Sequence, residues 1–208
     1  MIDLSIIIVN WNTRELLKQC LESVYETVQG LDFEVWVVDN ASVDGSVAMV
    51  LECFPGVQLI QNSTNLGFAR ANNQALRQIK TEYALLLNSD AALIPGSVKA
   101  LMACARRHPN AGVCGAMLLN ADGSFQASYG SFPGLWSEFL HLFSFRSILG
   151  DHTYPSHSWQ HSRVEKEVDW VGGACFLVRR AALGVVGFLD DNPDKNNKMV
   201  NGVPVLGA

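Results

Sequence analysis

Ser5-Ile-Ile-Ile-Val9, followed at once by Asn10-Trp11-Asn12, decides the fold class of this 208-residue chain. The run from Ile6 to Val9 is β-branched and apolar on both faces, as a strand buried in a parallel sheet requires, and the abrupt change at Asn10 marks where it leaves the sheet. Asn12 with Glu15 three residues later has the form of a capping box, and Leu16, Leu17, Cys20, Leu21, Val24, Tyr25 and Val28 then recur at helical spacing. Residues 33–38 give a second buried strand that ends on Asp39-Asn40, residues 46–54 a short helix, and residues 57–61 a third strand. The polar loop 62–67 leads into a helix over 68–80, and a strand over 83–87 ends on Asn88-Ser89-Asp90. The order is βαβαβαβ. It predicts an α/β fold with a mostly parallel, Rossmann-like sheet, helices on both faces, and ligand-binding residues beyond the carboxyl ends of the strands.

The remainder is less regular. A helix is expected from Pro95-Gly96 to about residue 108, then an apolar segment over 111–119 and a hairpin-like turn at Asp122-Gly123. Residues 125–161, rich in aromatics, Ser, His and Pro, read as a long irregular loop of the substrate-lid type, and order returns over 164–177. Leu135, Trp136, Phe139, Leu140 and Phe143 recur at helical spacing, either as a core stripe or as a face that rests on a membrane surface. His141, His152, His157 and His161 read as surface histidines.

Composition removes several function classes. With 49% hydrophobic and 17% charged residues the chain is globular, and 15 Lys and Arg against 20 Asp and Glu leave a net charge of −5, with no basic field to hold nucleic acid. Cys20, Cys53, Cys104, Cys114 and Cys175 are odd in number and widely spaced, which argues against a disulfide framework or a zinc site and for a reducing compartment. No leader-like or membrane-spanning run is seen at the start, so a cytoplasmic location is expected.

Three polar clusters stand at predicted strand ends. Asp39 is placed either to accept hydrogen bonds from a base or ribose or to cap the next helix. Asn88 and Asp90, two apart, either hold one hard cation such as Mg²⁺ or Mn²⁺ or form an ordinary turn. In Asn65-Leu-Gly67-Phe-Ala-Arg-Ala-Asn72-Asn73 a glycine at a helix start allows close approach by an anionic ligand, or simply joins loop to helix. Neither G-x-G-x-x-G after a strand nor G-x-x-x-x-G-K-[ST] occurs, so hydride-transfer and P-loop readings lose their usual support.

Together SIIIVNWN (5–12), VVDNASVDGS (37–46), NLGFARANNQAL (65–76), LLLNSDA (85–91) and WVGGACFLVRRAAL (170–183) resemble bacterial family 2 glycosyltransferases of the GT-A fold, with rhamnosyltransferase-type members nearest. The resemblance implies a donor-binding half over 1–120 and an acceptor-side segment over 121–185. By that resemblance Val9, Asn10 and Asn12 line the nucleotide pocket, Asp39 binds the base, and Asn65 and Gly67 follow it. Asn88 and Asp90 stand where the family has its Asp-x-Asp metal motif, and Trp170, Gly172 and Gly173 border the sugars. A divalent metal, Mg²⁺ or Mn²⁺, is the implied cofactor. The implied reaction is inverting transfer from a dTDP- or UDP-sugar to a saccharide or lipid-linked acceptor in cell-surface polysaccharide synthesis, with peripheral membrane association.

The chain departs from the family after Val186-Gly-Phe-Leu-Asp-Asp191, because the Glu-Asp motif that carries the family's general base is absent and the catalytic residue is unassigned. Residues 186–208 form an atypical tail that resembles nucleotide-sugar-modifying proteins, and the expectation is a truncated or rearranged, C-terminally incomplete transferase. A catalytically impaired nucleotide-sugar-binding remnant is the alternative function. A sugar-1-phosphate nucleotidyltransferase is disfavoured because Asn10-Trp-Asn-Thr-Arg-Glu15 is not a glycine-rich phosphate loop.

Overall fold

The computed structural model describes residues 2–130, 165–186 and 205–207. Their centre is β1 (Leu4–Asn10), paired in parallel with β2 (Phe33–Asp39) on one side and β4 (Tyr83–Asn88) on the other. β3 (Gln58–Gln61) extends the parallel array beyond β2. On the far side β11 (Cys175–Arg179) runs antiparallel to both β4 and β5 (Val113–Gly115). β12 (Val205–Gly207) and β9 (Lys166–Val168) complete the order β3-β2-β1-β4-β11-β5-β12-β9. Only β11 and β9 oppose the common direction, so the sheet is mostly parallel.

The alternation of strand side chains builds two cores. Ile6 and Ile8 of β1, Leu85 and Leu87 of β4 and Leu177 of β11 face α1 (Arg14–Thr27), α2 (Ser46–Cys53) and α4 (Ser97–Arg107). Ile7, Leu86, Phe176 and Val178 point the other way, against α3 (Phe68–Leu76) and α5 (Arg180–Val186). Helices therefore cover both faces, as β-branched strands without polar alternation demand.

Several local readings are corrected. The capping box at Asn12 and Glu15 does not form: Asn12 has φ 54°, its side chain accepts from Val43 N–H at 2.8 Å, and Glu15 pairs with Arg14. Leu16 and Tyr25 lie on the exposed side of α1, whose buried line is Leu17, Cys20, Leu21 and Val24. α3 ends at Leu76 rather than Lys80, because Gln78 N–H steps back only three residues to the Ala75 carbonyl and tightens the last turn. The segment 111–119 divides into β5 and β6 (Leu118–Leu119); β6 forms a hairpin with β7 (Phe125–Gln126) around the expected Asp122-Gly123 turn. The irregular loop therefore begins later than residue 125: β8 (Tyr129–Gly130) pairs with β10 (Trp170–Val171), and strands of two residues carry no readable period. The aromatic stripe 135–143, the four histidines from 141 to 161 and most of the atypical tail lie outside the described residues.

The one-sided burial of α1 gives a stability prediction. Leu21→Ala, at a site with no solvent exposure, should lower the free energy of unfolding by about 2–5 kcal/mol. Leu16→Ala should change it by about 0.5 kcal/mol or less. Urea unfolding of both variants checks this, and comparable losses would contradict the packing of α1.

Candidate functional site

Polar side chains converge where β1, β2 and β4 leave the sheet. Asn10 and Asp39 are register partners at adjacent strand ends, and both are buried, at 0% and 3% exposure. Asn10 Nδ2 donates to Asp39 Oδ1 at 2.9 Å and to Ser42 Oγ at 3.0 Å, while Ser42 N–H donates to Asp39 Oδ2 at 2.9 Å. Both carboxylate oxygens are thus engaged, each with a lone pair to spare. Ser42 Oγ also accepts from Asn12 N–H at 2.9 Å. The loops after β1 and β2 are in this way tied into one unit.

That unit holds its backbone away from the common minima. Asn12 and Ala41 (φ 64°) both sit in the left-handed region, which costs an L-residue about 1–2 kcal/mol. Hydrogen bonds on either side of Ala41 fix it: Asn40 N–H to the Asn10 carbonyl and Ser42 N–H to Asp39. Strain of this kind gathers where a loop must present groups to a ligand.

Asp44, within the 37–46 stretch, serves two helix starts. Its Oδ2 accepts from Arg14 N–H at 2.8 Å, at the head of α1, and its Oδ1 accepts from the N–H and hydroxyl of Ser46, at the head of α2. Partial burial pushes this carboxyl up, but the hydrogen bonds from the Ser46 hydroxyl, Arg14 N–H and Ser46 N–H outweigh it and hold the group below its usual range.

The third strand end joins through Thr13. Its hydroxyl donates to Asn10 Oδ1 at 2.7 Å and lies 2.9 Å from Ser89 Oγ, the middle residue of Asn88-Ser89-Asp90. Ser89 is buried on Thr13, whereas Asp90 is exposed and Asn88 half-buried, and neither of these two side chains hydrogen-bonds a described residue. Their oxygens are open to a cation. Beneath them the Cys20 thiol lies 3.5 Å from the Asn88 carbonyl and is pushed up to about 12 by burial, by Cys175 and by the charge of Asp90, so it is an inert packing group.

Two further segments frame the site. Asn62 bonds Asn40 and exchanges two hydrogen bonds with Gln74 of α3, which anchors the loop before that helix. In that loop Asn65 Oδ1 accepts from Gly67 N–H, and Gly67 has φ 77° with nothing within 4 Å of where a Cβ would stand. Asn65 and Gly67 are both exposed. On the other side Ala174 O accepts from Asn88 N–H at 2.9 Å, which sets Gly172 and Gly173 beside the Asn88-Asp90 turn. Trp170 is 40% exposed at β10, and its ring lies over Gly130, where a Cβ would collide with it. Val9 alone turns aside, packing against the core under α3.

A separate cavity of about 710 Å³, lined by Asp3, Glu34, Thr81, Glu82, Arg106 and Arg179 among others, lies at the amino ends of β1, β2 and β4. Ligand sites of open parallel sheets lie at the opposite ends. The Asn10, Asp39 and Asp90 cluster is the candidate site.

A family model described as glycosyl transferase family 2 matches residues 5–183, which takes in every strand end just described. The chain belongs to glycosyltransferase family 2. It is similar to an N-acetylglucosaminyl-diphospho-decaprenol L-rhamnosyltransferase of Mycobacterium tuberculosis, 31% identical over 175 residues, which are 76% of this chain and 55% of the relative. This family 2 chain therefore spans about half the length of that relative. Its fold is shared with a mannosyltransferase of Pyrobaculum calidifontis solved with GDP-Man and Mn²⁺ (TM-score 0.62, 20% identity, 91% of this chain and 48% of that one). It is shared also with residues 1–349 of TarS from S. aureus (TM-score 0.61, 17% identity, 100% of this chain and 60% of that one). The chain is thus a family 2 member of the GT-A fold whose sequence is similar to that of a rhamnosyltransferase.

Asp44→Ala should lower stability by about 1 kcal/mol near neutral pH through loss of helix capping. Because the folded-state carboxyl sits below the unfolded value of about 3.9, this contribution is full above that value and is lost as pH falls through the lower folded one. Thermal melts of the two proteins should converge in acid, and a constant gap at all pH values would contradict the capping role.

Proposed function

We propose that this glycosyltransferase binds a nucleotide-sugar, dTDP- or UDP-linked, across the carboxyl ends of β1, β2 and β4, and transfers the sugar with inversion to a saccharide or lipid-linked acceptor in cell-surface polysaccharide synthesis. The observation that carries the reading is the buried Asn10, Asp39 and Ser42 network, joined through Thr13 and Ser89 to the open Asn88 and Asp90. Asp39, already oriented by two donors, retains lone pairs for an N–H of the base. Gly67, with open space over its backbone, lets the ligand approach the start of α3.

Electrostatics supports a divalent cation. An exposed Asp90 carboxylate facing a diphosphate would repel it, and an Asn and an Asp with oxygens free of protein hydrogen bonds suit Mg²⁺ or Mn²⁺. Asn88 and Asp90 would hold the ion, whose chemistry is to neutralise charge on the departing diphosphate. The Mn²⁺ held by the Pyrobaculum mannosyltransferase agrees with this choice. Trp170, Gly172 and Gly173 border the donor sugar and acceptor, with Gly173 leaving open space at the Asn88 side.

The acceptor class rests on the mycobacterial relative, whose name gives a lipid-linked diphosphosugar acceptor. Peripheral contact with a membrane surface, from the cytoplasmic side, belongs to the same proposal; among the described residues no helix is long and apolar enough to cross a membrane. Residues 1–185 are the GT-A domain in this reading, and 186–208 a distinct tail.

Calorimetric titration with UDP- and dTDP-sugars, each with and without Mn²⁺, tests the donor site. Asp39→Ala should weaken binding about tenfold or more in both conditions, whereas Asp90→Ala should remove chiefly the gain that Mn²⁺ provides. Equal losses in both conditions from both variants would refute this division of roles. Turnover of a lipid-linked saccharide then separates an active transferase from a binding remnant.

A further inference from the structure

Far from the donor site, folding gathers ligand types that the sequence scatters. Cys104 and His108 stand four apart on α4 and at its end, and Glu165 lies where the described chain resumes just before β9. The Cys104 Sγ, a His108 ring nitrogen and a Glu165 carboxylate oxygen all lie within 4.8 Å of one another. His108 Nε2 is 2.8 Å from Glu165 Oε2, while Arg107 pairs with the other oxygen, Oε1.

We propose that Cys104, His108 and Glu165, with a fourth position open to water, form a binding site for a thiolate-preferring divalent cation of the zinc type, separate from the donor-site metal. Thiolate, imidazole and carboxylate are the ligand types that zinc takes, three protein ligands with a water are a known arrangement, and tetrahedral zinc brings such atoms to about 3.3–3.8 Å from each other. Side-chain shifts of about 1 Å close the present cluster to that size. His108 Nε2 and Glu165 Oε2, now 2.8 Å apart, would open slightly to admit the cation between them.

Charge closes as well. Zinc displaces the Cys104 thiol proton to solvent and takes the lone pair of neutral His108 Nε2 in its Nδ1–H tautomer, so one thiolate and one carboxylate bring two negative charges against two on the metal. Arg107, held on Glu165 Oε1, leaves Oε2 to face the metal. Glu165 is partly buried and the His108 side chain is 43% exposed, which leaves a route for entry. The bound cation would staple the end of α4 to the start of β9, at the edge of the sheet. Mn²⁺, which prefers oxygen ligands, is the weaker match here and the better one at Asp90.

The test is Co²⁺ titration of the chelator-stripped, reduced full chain, read by thiolate-to-cobalt charge-transfer absorption, with zinc competition. One equivalent should bind, zinc should displace it, and the signal should survive in Asp90→Ala and Cys53→Ser. Cys104→Ser and His108→Gln should each weaken binding about tenfold or more. His108→Gln alters a half-exposed side chain and keeps the test valid if the buried cysteine variant fails to fold. Zinc at a hundredfold excess over its Kd should raise the folded-to-unfolded ratio about 100-fold in the parent and far less in either variant. Absence of the charge-transfer signal, or its full retention in His108→Gln, would overturn the proposal. So would a Cys104–Cys114 disulfide in the chain as purified, found as three free thiols rather than five after denaturation.

Discussion

The contact on which the rest depends is the hydrogen bond between Asn10 and Asp39 at the ends of two adjacent parallel strands. β1 and β2 are buried on both faces, so any polar group at their ends must find a partner or lose several kcal/mol of hydration unrecovered. Pairing the two residues with each other, and both with Ser42, satisfies that demand and fixes the two loops that follow. The same requirement, met in this way, leaves carboxylate lone pairs and strained backbone at the rim of the sheet. A structural necessity of the core thereby builds the rim at which donor binding is proposed.

The coupling continues outward through short side chains. Thr13 links Asn10 to Ser89 and Asp44 heads two helices, while Asn62 and Gln74 lock the loop that carries Asn65 and Gly67. Each contact alone is modest, but their loops share partners, so the geometry at Asp90 depends on residues at Asp39. Family 2 membership and the shared GT-A fold fit this arrangement, in which short polar side chains rather than long charged ones shape the strand-end cluster.

Strand identity was legible in the sequence because runs such as Ile6 to Val9 and Leu85 to Leu87 admit only burial on both faces, and because their polar ends are abrupt. The positions of Asp39, Asn88 and Asp90 followed from those ends. The capping box was misread because Asn12 and Glu15 carry the right spacing while the actual partner of α1 is Asp44, thirty residues ahead of Arg14 in sequence and invisible to a local rule. Ser42, Thr13 and Ser89 were passed over for the same reason. The thiol, imidazole and carboxylate group at the end of α4 is hidden in the sequence: Cys104 and His108 show the i, i+4 spacing of a shared helix face, but Glu165 joins them only through the fold, just before β9.

The most direct test of the account is paramagnetic line broadening in amide NMR spectra of the full chain, with Mn²⁺ and a dTDP- or UDP-sugar. The account predicts broadening centred on Asn88 to Ala91, together with nucleotide-dependent shifts at Asn12, Ser42 and Gly67. Broadening centred elsewhere, with no nucleotide-dependent change at those three amides, would contradict it.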